Sequence, residues 1–339
     1  WLSYRFIEGP LRARPPLGLT RNWIFSLSRV MLFAMVMIGG LLHLTEGVPS
    51  RLTPLEAATT AVAQDRNDQH ACFSRLPQEG LCAIGAPSAD GAPVDFLFWG
   101  DSHAEAIEPG LDLAAQAAGQ NGLFAGIVAC LPIRQLRRHS KSQDCTEMNQ
   151  SVWAFLEERD DIPLVVIAAR WALSVEGSRY RQESGAPVSL EWFGDAGAGP
   201  GGGDNASLVE AGLMATVAEL LASGREVVIL GQIPEVGWHV PNVLARGEML
   251  GWRSGPPTLT EAEFEARAAT TEEILSRVAA MHDGVRYLRL SDLFCADGKC
   301  SVIDEGGLPL YVDDDHISRG TAERLLPERL SEIWINESQ

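Results

Sequence analysis

Ser102 sits in Gly100-Asp101-Ser102-His103, where the apolar run Val94–Trp99 breaks and a helix-like pattern begins. A serine hydroxyl becomes a nucleophile only when a base takes its proton and an acceptor holds that base in the right tautomer. Residues 311–321, YVDDDHISRGT, carry both groups: His316 as the base and Asp313, three residues earlier, as its acid. Asp-x-x-His on one loop lets a short segment bring an imidazole and a carboxylate together. The competing reading is local. Asp101 or Ser102 would merely cap a helix, and the acidic run would be a solvated turn before a last helix capped by Ser318. No metal site is expected, because hard cations draw oxygen ligands from spaced positions and the chain has no second acidic cluster. His103 adjoins Ser102, but neighbouring side chains at a helix start diverge, so it is expected to line the site rather than act as base. His239 reads as a rim residue. Trp171 and Trp238 are either sugar-stacking rings or core aromatics.

The elements that must position these groups follow in a regular order. Strands are expected at Val94–Trp99, Leu123–Val128, Leu164–Ala168, Glu226–Leu230 and Val285–Leu290. Helices are expected at Ala104–Ala118, Met148–Glu158, Ala206–Ala222 and Glu261–His282, with a last one after Ser318. Short, continuous apolar strands alternating with amphipathic helices indicate an α/β fold, a three-layer α/β/α domain with a mostly parallel sheet. In such a sheet, ligands sit outside the carboxyl ends of the strands. Ser102 falls at that edge, and the free N–H groups of the following helix would face a developing oxyanion. RQLRRHSKSQDC, after the second strand, reads as a basic, hydroxyl-rich loop, and GDAGAGPGGGDN at 194–205 cannot hold regular structure and reads as a mobile surface insertion.

Before this domain lies a different kind of segment. Ile24–Leu44 is apolar apart from Arg29, His43 and a few small interruptions, long enough to span a bilayer, with Trp23 as an interfacial anchor. Arg5, Arg12, Arg14, Arg21 and Arg29 stand against one acid, Glu8, in the first 30 residues, which places the N-terminal side in the cytoplasm. The whole chain carries 45 acidic and 27 basic residues, net charge −18, which argues against a nucleic-acid partner. The six cysteines fall into near neighbours, Cys72 and Cys82, Cys130 and Cys145, Cys295 and Cys300. Fifteen connectivities are possible; the local pairs are the simplest, in an oxidising compartment such as a periplasm. The resulting division is residues 1–22 on the cytoplasmic side, a transmembrane helix at 23–45, a linker and N-terminal elaboration at 46–90, and the α/β domain at 91–339.

The ordered stretches resemble a known family. Gly100-Asp101-Ser102-His103 after a strand, with Asp313-x-x-His316 near the C-terminus, looks like the first and last sequence blocks of the SGNH (GDSL-like) hydrolases. More narrowly, "SYRFIEGPLR" (Ser3 to Arg12), "CLPI", "VVIAARW", "GQIPEVGWHVP" and "YVDDDHIS" resemble SGNH domains fused to membrane acyltransferase-3 proteins, which O-acylate bacterial surface polysaccharides. The resemblance implies Ser102 as nucleophile, His316 as general base, Asp313 as its acid and the Ser102 N–H as first oxyanion donor. It implies residues 1–22 as the end of a membrane acyltransferase part of the same polypeptide, at the bacterial inner membrane. It also implies acetyl-CoA as that part's acyl donor, with no cofactor in the SGNH-like domain itself. One departure stands out. The block that usually ends in Gly-x-Asn reads Ala169-Arg170-Trp171, so the asparagine donor is missing. The substitute is either Arg170, which reads equally well as a structural residue, or a backbone amide near Ala129-Cys130, with Asp101, His103 and Trp171 as further lining residues. The expected activity is O-acyl transfer, with a carbohydrate O-acetylesterase or a non-catalytic glycan-binding domain as alternatives.

Overall fold

The computed structural model describes residues 1, 4–9, 20–45, 48, 50, 52–67, 72–89, 92–138, 142–193, 203–251 and 257–335. Arg12 and Arg14, the ends of the SYRFIEGPLR stretch, most of GDAGAGPGGGDN and the middle of the basic loop lie outside these residues. The chain forms two compact units, residues 1–57 and 58–339.

The first unit is dominated by one helix, α1 (Arg21–Leu44), capped by the Thr20 side chain, with none of its residues buried. At ~1.5 Å per residue its 24 residues extend about 36 Å, enough to cross the hydrocarbon core of a bilayer, and its apolar side chains face outward. A second helix, Asn205–Ala222, also passes a length and hydropathy test for spanning. It packs Leu208, Leu213, Val217 and Leu220 into the core of the second unit and is a core helix.

The second unit is built on a six-stranded sheet of β1 (Cys82–Gly85), β2 (Phe96–Gly100), β3 (Asn121–Gly126), β4 (Leu164–Ala168), β5 (Glu226–Leu230) and β6 (Val285–Leu288). The spatial order is β1-β3-β2-β4-β5-β6. All neighbours run parallel except β1, which pairs antiparallel with β3 at the edge. The central strands read as unbroken apolar runs because both faces are covered. Phe96, Phe98, Phe124, Val166 and Val228 face one layer, which holds Ile107 and Leu111 of α2 (Ser102–Ala118). Leu97, Trp99, Val165, Ile167 and Val227 face the other. There they meet α3 (Ser142–Glu158), α5 (Asn205–Ala222) and α7 (Glu261–Ala280). Between β4 and α5 lies the short α4 (Trp171–Glu176), and α6 (Val240–Leu250) follows β5. The expected three-layer α/β/α domain is the one observed.

Two strands, Leu164–Ala168 and Glu226–Leu230, have the boundaries their sequence predicts. The others shift by a few residues at their ends, and the four-residue β1 is too short to carry a pattern. The C-terminal helix predicted after Ser318 starts there as α8 (Arg319–Leu325) but breaks before Pro327, where α9 (Pro327–Ser331) begins. The three disulfides are the local ones, Cys72–Cys82, Cys130–Cys145 and Cys295–Cys300.

Candidate active site

The register of the parallel strands aligns Gly100 with both Gly126 and Ala168, so the segments leaving β2, β3 and β4 emerge side by side at the carboxyl edge. Gly100 is needed there: a Cβ would collide with the Ala168 carbonyl and the Ala104 side chain. The chain then turns directly into α2. Asp101 is the N-cap, its carboxylate accepting from the His103 N–H at 2.9 Å and from the Arg170 N–H at 3.0 Å. It thereby ties the end of β2 to the end of β4. Ser102 is the first helical residue and is partly exposed. The sequence left a capping residue and a nucleophile as rivals, and the structure separates them: Asp101 caps, and the Ser102 hydroxyl is left to other partners.

That partner is His316. Its Nε2 lies 2.9 Å from Ser102 Oγ, and its Nδ1 lies 3.0 Å from Asp313 Oδ2. The loop closes on itself through Asp313 Oδ1, which accepts the backbone N–H of Asp315 (3.1 Å) and of His316 (2.8 Å). Aspartate at the head of a turn commonly folds the chain in this way. The segment after β5, which includes GQIPEVGWHVP, holds the loop from outside. The N–H groups of Val236 and Gly237 donate to the Asp314 carbonyl and that of Val240 to the Asp313 carbonyl. Ser318 then caps α8, accepting from the Thr321 N–H.

Two partners escaped the sequence. Arg66 donates to Asp313 Oδ2 at 2.9 Å from a segment well before the first parallel strand. Asp315 lies beside His316 Nδ1 as well, at 3.1 Å, and its other oxygen meets His103 Nε2 at 3.0 Å and Arg170 Nη1 at 2.6 Å. Its position next to His316 gives it no helical or turn spacing to flag it, and Arg66 lies 247 residues away.

The remaining expected lining residues find other work. Asp101 is buried in the cap just described. His103 is buried beside Asp315, with its ring centroid 4.7 Å from that of His316. Arg170 reads from sequence as either structural or an oxyanion donor, and here its guanidinium is taken up by Glu235 (2.5 Å), Glu183 (2.7 Å) and Asp315. Trp171 is fully buried, its Nε1 donating to the Leu230 carbonyl at 2.9 Å, and presents no ring to a ligand. Trp238 is buried too, and half-buried His239 caps α6 through Nδ1. The loop leaving β3 stays at the edge, with Ala129 in left-handed backbone (φ 60°) and Val128 exposed. His103, Asp315 and His316 offer ligand atoms within 4.8 Å of one another. A cation there would face the Arg170 guanidinium on the same carboxylate, and the set satisfies itself as an ion cluster instead.

Electrostatics follow from this packing. Burial pushes the His316 imidazolium down, but Asp315 and Asp313 more than offset it and raise its pKa to about 10. Burial raises Asp313, yet its hydrogen bond to His316 prevails and lowers it to about 2. Asp315 is held well below the usual carboxylate range, His316 and His103 overcoming its desolvation. Asp314 moves the other way, raised by burial and then by the charges of Asp315 and Asp313.

A nucleophile-to-base hydrogen bond, a base held by a carboxylate and a helix N-terminus at the nucleophile together suit acyl transfer through serine. Among solved structures, the lipopolysaccharide acetyltransferase periplasmic domain of Salmonella ser. Paratyphi A matches with a TM-score of 0.55 and 13% identity, over 85% of this chain and 99% of that one. At such identity the likeness speaks for the fold. A Clostridium thermocellum family 3 carbohydrate esterase matches over 71% of this chain and 92% of its own at 11% identity, with a TM-score of 0.36. An acetyl xylan esterase matches over 71% and 100% at 11% identity, with a TM-score of 0.38. Scores that low carry no argument. No curated protein matches the chain. The family described as SGNH domain (fused to AT3 domains) matches residues 64–329. The chain belongs to that family of SGNH domains.

Proposed function

We propose that this domain transfers an O-acyl group, acetyl in the simplest case, to a sugar hydroxyl of a cell-surface polysaccharide. The observation that carries the reading is the 2.9 Å contact between Ser102 Oγ and His316 Nε2 at the carboxyl edge of the sheet. Neutral His316 removes the Ser102 proton as Oγ attacks the acyl carbonyl, and the Ser102 N–H, with an amide from the Ala129–Cys130 loop, faces the developing oxyanion. The leaving group takes the proton back from His316 as the acyl-serine forms. The same histidine then deprotonates the acceptor hydroxyl, which displaces Ser102 and carries the acyl group away. Asp313 holds the imidazole in the productive tautomer.

Membership in a family fused to AT3 domains supports sugar over water as the acceptor. It also supports a membrane acyltransferase part of the same polypeptide; acetyl-CoA as that part's donor rests on the sequence resemblance alone. With α1 as the anchor, the domain would work on the periplasmic side of the bacterial inner membrane. Ser102→Ala is expected to abolish acetylation of the surface glycan in cells; acetylation at the normal level would sink the assignment. Supplying p-nitrophenyl acetate with and without an oligosaccharide acceptor separates the two acceptors: acetate that stays free under saturating acceptor makes the protein an esterase. A fluorophosphonate probe that leaves Ser102 unmodified would instead make it a glycan-binding domain.

A further inference from the structure

We propose that Asp315 is a second positioning carboxylate for His316, fixed from beneath by Arg170 and His103. The inference rests on the reading of Ser102 and His316 as nucleophile and base. His316 Nδ1 lies between two carboxylates, 3.0 Å from Asp313 Oδ2 and 3.1 Å from Asp315 Oδ1. The two are anchored very differently. Asp313 is held by its own turn and by Arg66, whose side chain is 46% exposed; such a contact is weak and screened by salt. Asp315 has a side chain only 4% exposed; its second oxygen takes a hydrogen bond from His103 and forms an ion pair with Arg170 Nη1 at 2.6 Å.

Arg170 is itself fixed on three sides. Glu235 holds its Nε at 2.5 Å and Glu183 its Nη2 at 2.7 Å, while Arg267 closes on the other oxygen of Glu235 at 2.7 Å. Arg179 adds a further pair to Glu183. A buried ion cluster is a costly way to fill space compared with apolar packing. This one converges on a single carboxylate whose free oxygen faces the imidazole.

The ionisable groups around His316 are Asp313, Asp314 and Asp315 from its own loop and His103 from α2. Arg66 acts on it through Asp313, and Arg170 acts through Asp315. Removing a neighbouring negative charge makes the imidazole easier to deprotonate. The base is then available at lower pH, but the imidazolium formed in the reaction is less stabilised.

The test uses the full chain in detergent, with p-nitrophenyl acetate as the probe. Asp315→Asn keeps the shape and deletes the charge. The acid limb of its pH–rate profile is expected to move to lower pH, with kcat reduced and KM little changed. Asp313→Asn is expected to lose less than the ~10⁴-fold typical when the only acid of such a base is neutralised, because the Asp315 carboxylate still lies 3.1 Å from Nδ1 and stabilises the imidazolium. The double variant is expected to fall to the Ser102→Ala background. An acid limb that stays in place in Asp315→Asn, or an Asp313→Asn variant already at background, overturns the proposal. If Asp315→Asn does not fold, Asp313→Asn alone decides, by its residual rate. Full turnover in Ser102→Ala would instead refute the nucleophile assignment beneath it, a result separable from both.

Discussion

At the scale of single residues, the site is a balance of charges around one imidazole. His316 loses stabilisation by burial and regains more from Asp315 and Asp313, so the imidazolium form persists to a pKa of about 10. A base must be neutral to take the Ser102 proton, so activity is expected to rise with pH along a limb displaced well above 6.5. NMR titration of the His316 ring places that limb directly, and a midpoint at or below 6.5 contradicts the electrostatic account. The sign for stability is opposite. A raised folded-state pKa stabilises the fold fully below pH 6.5, and that contribution is lost as pH rises through about 10. Gly100 sets a second residue-scale constraint. Gly100→Ala forces a methyl against the Ala168 carbonyl and the Ala104 side chain. Overpacking of this kind typically costs about 1–3 kcal/mol, measurable as a lowered denaturant midpoint.

At the scale of elements, the nucleophile rides on α2 and the base on the loop entering α8. Their separation is fixed where those helices touch. Gly110 lies at the crossing; a Cβ there would come within 2.7 Å of the Ala322 carbonyl. A strap of three residues fastens the same two elements from outside. Asp65 accepts the N–H groups of Arg319 and Gly320, Arg66 pairs with Asp313, and Asn67 donates to the Glu105 carbonyl and to the Glu108 carboxylate at 2.6 Å. Residues 46–90, read from sequence as linker and elaboration, therefore include a strap at the site. Asn67→Ala removes a donor to a buried carboxylate. It is expected to destabilise the fold by about 1–3 kcal/mol and to lower the rate on p-nitrophenyl acetate, whereas an unchanged melt and rate would reduce the strap to a surface contact. The strap was invisible in sequence because Asp-Arg-Asn carries no period and its partners lie as far as 255 residues away.

At the scale of the whole molecule, one chain holds two units of different surface character. The apolar side chains of α1 are exposed along its length, which in water would leave a large unpaired hydrophobic surface. The chain is expected to sediment with membranes and to resist alkaline carbonate extraction, and removal of residues 21–44 to release it. Release of the intact chain by carbonate would rule out a spanning helix. The three disulfides close loops within the second unit, at sequence separations of 10, 15 and 5. Local spacing made these pairings the simplest reading, and packing bore them out.

What the sequence determined by itself is whatever depends on local order. Apolar runs such as LVVIA and EVVIL are strands because only a sheet covered on both faces buries every side chain. The Ile24–Leu44 run is a long apolar helix, and Asp313 reaches His316 because it stands three positions before it on a turn. Tertiary structure decided what depends on the meeting of distant segments. It brought Ser102 to His316 across 214 positions, placed Trp171 in the core, and paired the Arg170 guanidinium with Glu235, Glu183 and Asp315. The physical reason is that a charge's role is set by its neighbours after burial: the Asp-Asp-Asp run is one word in sequence, yet its three carboxylates titrate in different directions once folded.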